Sequence, residues 1–183
     1  MHTDPEPLAV SFANTRSSSV RDRIGTFDEF RRWAQDWPAL RPLAARLPAD
    51  SLASLLERRD ATQLVLHAVA DGRKPPAAAF ALATDSGLEA APFRLRPAAC
   101  GATLGRVPPF EAIHHIIARS AVDLLLSPQA AALRRCEGVG CRRVFASARA
   151  NRRWCDTRVC GNRARVAAHA RRHAQGTKPP TAG

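Results

Sequence analysis

The sequence predicts an α+β chain: a mainly helical N-terminal domain with one small β-hairpin, followed by a small C-terminal four-cysteine module that ends in a basic helix. Three observations carry this prediction. Ahead of residue 130, apolar residues recur at helical spacing between recognisable start and stop signals. One stretch, about residues 92–107, alternates in the manner of strands. Four of the five cysteines fall between Cys136 and Cys160, embedded in arginine.

At 183 residues the chain holds one ordinary domain and a small appendage, and a hydrophobic fraction of 45% is enough for a core. Nothing approaches the roughly 18 apolar residues that a membrane span needs. The start, MHTDPEPLAVSFANTRSSSV, has neither a basic n-region nor a continuous apolar h-region. The expectation is a cytoplasmic protein without a membrane partner, in a compartment that disfavours structural disulfides.

Thr26 with Glu29 forms a capping-box pattern ahead of Phe27, Phe30, Trp33 and Trp37, and Pro38 stops that helix. Asp50 or Ser51 can cap a second, short helix carrying Leu52, Leu55 and Leu56. A third runs from about Ala61 to Ala70 and ends at Asp71-Gly72. AAAFALATDSG, after RKPP, reads as another short helix. PFRLRP and CGATLGRVP give the hairpin, with Cys100 at its small-residue turn. The longest helix is expected after Pro108-Pro109 and reaches Leu126; its apolar surface could also serve a homodimer. Ser127 and Pro128 then start a short helix, as N-cap and first helical residue, that runs to about Arg135. Residues 1–130 form the N-terminal domain, 131–175 the cysteine module, and 176–183 a disordered tail.

Catalytic patterns are absent from the N-terminal domain, and no enzyme is expected. His114 and His115 are adjacent on a helix and face about 100° apart, which does not suit joint chelation. The serines of TRSSSV read as a polar loop.

The quartet has the spacing Cys136-x4-Cys141-x13-Cys155-x4-Cys160. Two close pairs separated by a loop let two knuckles clamp one ion from opposite sides, and four thiolates suit tetrahedral Zn²⁺. EGVG supplies the small residues that a tight reversal requires. Phe145 and Trp154 would form a miniature core. Asn162 is placed to cap a helix from about Arg163 to His173. So small a unit cannot fold on apolar burial alone, and metal binding, worth roughly 10–16 kcal/mol in zinc modules, would supply the difference. The reading is one structural zinc held by Cys136, Cys141, Cys155 and Cys160. Its rivals are a site built from Cys155, Cys160, His169 and His173, a pair of disulfides, and an iron–sulfur cluster.

The charge is concentrated in the same place. Residues 134–183 carry a net +11, whereas residues 1–133 carry +1. Such asymmetry points to a polyanionic partner. Arg142, Arg143, Arg149, Arg152, Arg153, Arg158, Arg163 and Arg165 offer planar forks for phosphate oxygens or guanine edges, and Asn151 offers an amide that could read adenine. Trp154, beside a ligand, reads as core and not as a stacking platform.

The ending RRWCDTRVCGNR at 152–163 resembles the CGNR-type zinc finger of proposed bacterial transcription regulators. LRRC at 133–136, Cys141, Phe145 and Asn151 extend the likeness. SFANT at 11–15 and AVDLLLSPQAAALRRC at 121–136 look like the start of that family's N-terminal ABATE domain and its junction with the finger. The resemblance implies zinc ligation by the four cysteines and DNA binding in transcriptional regulation, with the N-terminal domain for sensing or assembly of unknown signal. One departure is visible: the family's FxDxS pattern after the aromatic is here FASAR, without the acid and in a shorter loop. A zinc-stapled module for an acidic protein, or an RNA-binding protein, are the competing functional classes.

Overall fold

α1, Leu8–Ala13, opens the structure without a start signal: Pro7 at its N-cap makes no side-chain bond, and six residues are too few to show a period. It is held by burial of Ala9, Val10, Phe12 and Ala13. The structure, a computed structural model, describes residues 6–18, 21–85, 87, 93–98, 101–106, 108–149 and 151–176, with backbone alone at 93–98, 101–106 and 174–176. Cys100 and residues 177–183 lie outside the described residues.

α2, Phe27–Ala34, has the capping box that its sequence promises. The Glu29 carboxylate accepts from Thr26 N at 2.9 Å, and Thr26 Oγ1 accepts from Glu29 N at 3.3 Å. Trp33 packs between Phe12, Phe30 and Trp37 at centroid distances of 5.5, 5.8 and 6.2 Å. α3, Arg41–Ala44, is a single turn. The expected pair of helices at 52–56 and 61–70 is instead one continuous helix, α4, Leu52–Ala70. At 19 residues it, and not the helix after Pro108, is the longest among the described residues. The intervening ERRD looks like a solvated break, yet Arg58 and Arg59 are buried and paired, so the helix passes through. α5, Ala77–Thr84, follows. β1, Phe93–Ala98, and β2, Gly101–Arg106, form the antiparallel hairpin with Phe93 opposite Arg106 and Ala98 opposite Gly101.

α6, Pro109–Leu126, turns Ile113, Ile117, Ala121 and Leu124 into the chain's own core. Ser127 caps the next turn by accepting from Gln129 N at 3.2 Å. That turn is a 3₁₀ segment, Pro128–Ala132, and the expected helix to Arg135 does not form. Residues Leu133–Arg135 are β3 instead, paired with β4, Val144–Ala146. Strand pairing wins because it places Leu133 and Val144 in a core cluster with Val10, Leu66 and Leu124.

The cysteine module is therefore docked, not tethered. Asn14 bridges to β4 as a neighbouring strand would: its Nδ2 donates to Val144 O at 2.8 Å, and its Oδ1 accepts from Val144 N at 2.9 Å. Around it Arg142 N donates to Ser17 O at 2.9 Å. The Arg142 carbonyl accepts from His67 Nε2 at 2.7 Å, and Arg142 Nε donates to Gln63 Oε1 at 3.0 Å.

The charges buried in α4 are satisfied within the domain. Arg59 donates to both Asp22 oxygens at 2.7 Å and meets Asp60 at 2.9 Å. Arg58 donates through Nε to His114 Nδ1 at 2.7 Å, and the His114 Nε2–H points to Ser54 Oγ at 3.3 Å. Burial, reinforced by the Arg58 charge, lowers the His114 pKa from 6.5 to about 4. The unfolded chain takes up this proton near pH 6.5, whereas the native chain resists until about 4, so stability is lost as pH falls between those values. The linkage amounts to at most about 3 kcal/mol. Chemical unfolding at pH 7 and pH 4.5 should show this loss, and His114→Gln should remove its share of the slope.

Candidate metal centre

The two knuckles are shaped by glycine and by backbone bonds. Gly140 sits at φ +70°, which closes the first reversal where a side chain would be strained. Gly138 lies against the sulfurs: a Cβ there would meet Cys160 Sγ at 3.1 Å and Cys136 Sγ at 3.4 Å. Glu137 N donates to Arg153 O at 3.0 Å, and the Arg153 guanidinium meets the Glu137 carboxylate at 2.6 Å, which joins the first knuckle to the second. In the second knuckle, Cys160 N and Gly161 N both donate to Asp156 O, at 2.9 and 3.1 Å.

The final helix begins differently from the expectation. A π-helical turn, Thr157–Gly161, leads into α7, Asn162–Gly176. The cap is Asp156, whose Oδ1 accepts from Arg158 N at 2.7 Å and Val159 N at 3.1 Å, and Asn162 is already inside the helix. A carboxylate six residues before the expected cap does this better than a neutral amide, because it also faces the positive end of the helix dipole.

All four Sγ atoms lie within 4.8 Å of one another. Cys141 and Cys155 are 3.9 Å apart, Cys155 and Cys160 3.8 Å. A Zn–S length of about 2.3 Å implies a tetrahedral edge of about 3.8 Å. These separations are nearly twice the about 2.05 Å of a disulfide, and they suit one ion, with no room for a polynuclear cluster. The donor set is soft and complete without histidine. His169 and His173 are exposed on α7 and face each other, Nε2 to Nε2 at 3.1 Å. The quartet is thus the site of a single structural zinc, with no fourth position left open for substrate.

Protein groups alone do not favour four thiolates here. Burial pushes the Cys155 thiol well up, helped by contact with Cys136, and pushes Cys160 up to about 11. At Cys136 burial also acts against ionisation, but N–H donation from Cys155 at 3.3 Å and Gly138 at 3.5 Å, with thiol contacts to Cys155 and Cys141, holds its pKa below the ordinary value. A divalent cation supplies the charge that the site lacks. Phe145 and Trp154 pack on the cysteines as the miniature core.

The arginines divide by what they touch. Arg142 is committed to the domain contact described above. Arg143 is half-buried with Nε unpartnered. Arg152 braces the second knuckle, donating to Trp154 O at 3.1 Å and Cys155 O at 2.7 Å while lying 4.5 Å over the Phe145 ring. Arg153 lies 5.2 Å from the Trp154 ring centroid and is tied to Glu137. Arg149, Asn151, Arg158, Arg163 and Arg165 are exposed. Where the family pattern has its acid, Ser147 takes the turn-forming role, its hydroxyl accepting from Arg149 N at 3.1 Å. The residues that dock the module, Asn14, Gln63 and His67, carry no metal or charge signature; the sole hint in sequence was that Asn14 belongs to SFANT. No helix among the described residues is long and apolar enough to cross a membrane.

Two family matches span most of the chain. Residues 6–128 match ABATE, described as "Putative stress-induced transcription regulator", and residues 132–173 match the CGNR zinc finger. No curated protein matches significantly.

Proposed function

Since the chain belongs to the ABATE family and carries a C-terminal CGNR zinc finger, we propose that it is a cytoplasmic transcription regulator that binds duplex DNA through the finger and acts without catalysis. The observation that carries this is the net +11 of residues 134–183, set on a unit that zinc makes rigid and that the N-terminal domain holds in place. Zinc has a structural part here: it fixes where the guanidinium groups stand. Arg149, Arg158, Arg163 and Arg165 are free to meet phosphate, while Arg142, Arg152 and Arg153 act as internal braces. The N-terminal domain serves sensing or assembly, with a homodimer as one form of assembly. A change in that domain reaches the finger through Asn14, His67 and Gln63.

Fluorescence anisotropy with duplex DNA at several salt concentrations tests this. These four arginines predict a slope of log affinity against log salt of about −3.6 or steeper, each further phosphate contact adding about −0.9. Absence of binding to any duplex at low salt would overturn the proposal, as would a preference for structured RNA. Capture of an acidic protein that survives nuclease would favour the interaction-module reading.

A further inference from the structure

α7 exposes nearly all of its circumference. From Asn162 to His173 only Ala164 and Ala168 are half-buried, and every other position is exposed. These two alanines, one turn apart, mark the side turned toward the protein. At about 100° per residue, the opposite side is a stripe of Asn162, Val166, His169 and His173, which fall within roughly 60° of one another. Arg163 lies about 90° to one side of this stripe; Arg165 and Arg172 lie about 70–90° to the other. Arg171 points to the back. The basic residues that look scattered in sequence are therefore arranged around a centre that carries no arginine.

The chemistry of that centre is unusual for a solvated helix. Val166 is 61% exposed between polar neighbours, so the stripe presents a methyl-bearing surface where a solvated face would place a charge. The His169 and His173 rings pack against each other at 4.3 Å between centroids, tilted by 47°. An amide, a small apolar side chain and two imidazoles are the groups that read adenine, the thymine methyl and purine acceptors. Flanking arginines match phosphates on either wall. A helix of about 10–12 Å diameter fits a major groove about 12 Å wide. The A-form major groove is too deep and narrow to admit it.

We infer that α7 enters the DNA major groove with Val166, His169 and His173 reading base edges beside Asn162, and with Arg163, Arg165 and Arg172 on the phosphates of the walls. This rests on the DNA-binding reading above and assigns its specificity to one face of one helix.

The test is enrichment of preferred sites from a random duplex pool, followed by salt titrations on the preferred site with the zinc-loaded full chain. The triple variant Val166→Ala/His169→Ala/His173→Ala should lose the preference, with affinity for the preferred site falling roughly tenfold or more and the salt slope unchanged. Arg165→Gln/Arg172→Gln should keep the preference and make the slope shallower by about 1.8. Arg171→Gln should change neither. All substituted side chains are exposed, and zinc content and melting temperature verify that each variant is folded. A triple variant with the wild-type preference overturns the inference while leaving DNA binding intact. So does a wild type without any preference, or an Arg171→Gln effect equal to that of the Arg165/Arg172 pair. A wild type that binds no duplex overturns the DNA-binding reading itself, and this inference with it.

Discussion

In Cys136→Ser, bound zinc should fall to below about one tenth of an ion per chain, and backbone amides from Ser147 onward should lose their protection from hydrogen exchange. Cys136 is the most consequential ligand to remove, because its Sγ also accepts from Gly138 N and Cys155 N, one from each knuckle. Serine offers a hard oxygen that ionises far less readily than a thiol, and burial resists ionisation at Cys155 and Cys160. Beyond the β3–β4 strands, the finger's apolar core is Phe145 and Trp154 packed on the cysteines themselves. Loss of metal removes a contribution of roughly 10–16 kcal/mol to that unit. Unfolding should stop at the β3–β4 pair, because Leu133 and Val144 are anchored in the N-terminal core and Asn14 still pairs with Val144. Elemental analysis and exchange mapping read both effects. Full zinc occupancy with unchanged protection would refute them.

Arg59→Ala should destabilise the N-terminal domain by about 3–5 kcal/mol in denaturant unfolding. Its side chain is 2% exposed and is the largest fully buried one among the described residues. Its Nη1 reaches both Asp22 oxygens and its Nη2 meets Asp60, which compensates its charge; alanine leaves a cavity and removes the cation from between the two carboxylates. Asp60 keeps Arg16 at 2.7 Å, so Asp22 is the group left exposed to the loss. Against a typical total of about 5–15 kcal/mol, such a change brings the fold near its threshold. A measured loss under about 1 kcal/mol would mean that Arg59 is replaceable packing and not a structural ion pair.

Arg59 also shows where sequence stops being informative. ERRD sits in the middle of α4, and four charged residues in a row read as a gap between two short helices. Burial of two arginines cannot be read from periodicity, because their partners, Asp22 and His114, lie far away in the chain. Local signals were legible wherever the physics is local: the Thr26–Glu29 box, the hairpin opened by PFRLRP, the α6 start at Pro109, and the cysteine spacing. The β3–β4 pair was not, since three-residue strands carry no period and their pairing is decided by Leu133 and Val144 meeting a distant core. At the metal centre the ligands were evident, but the helix cap was assigned to Asn162 when Asp156 performs it across an intervening π-helical turn. Arginine identity alone could not separate a brace such as Arg152 from a group such as Arg163, both of them exposed, because that distinction depends on which carbonyls lie within reach.

The most direct measurement is zinc K-edge X-ray absorption on the purified full chain, with metal content determined on the same sample. Four thiolates around one ion predict about one zinc per chain and a single shell of four sulfurs near 2.3 Å. A shell containing imidazole nitrogen, or a folded chain free of metal with its cysteines joined as disulfides, would contradict the account.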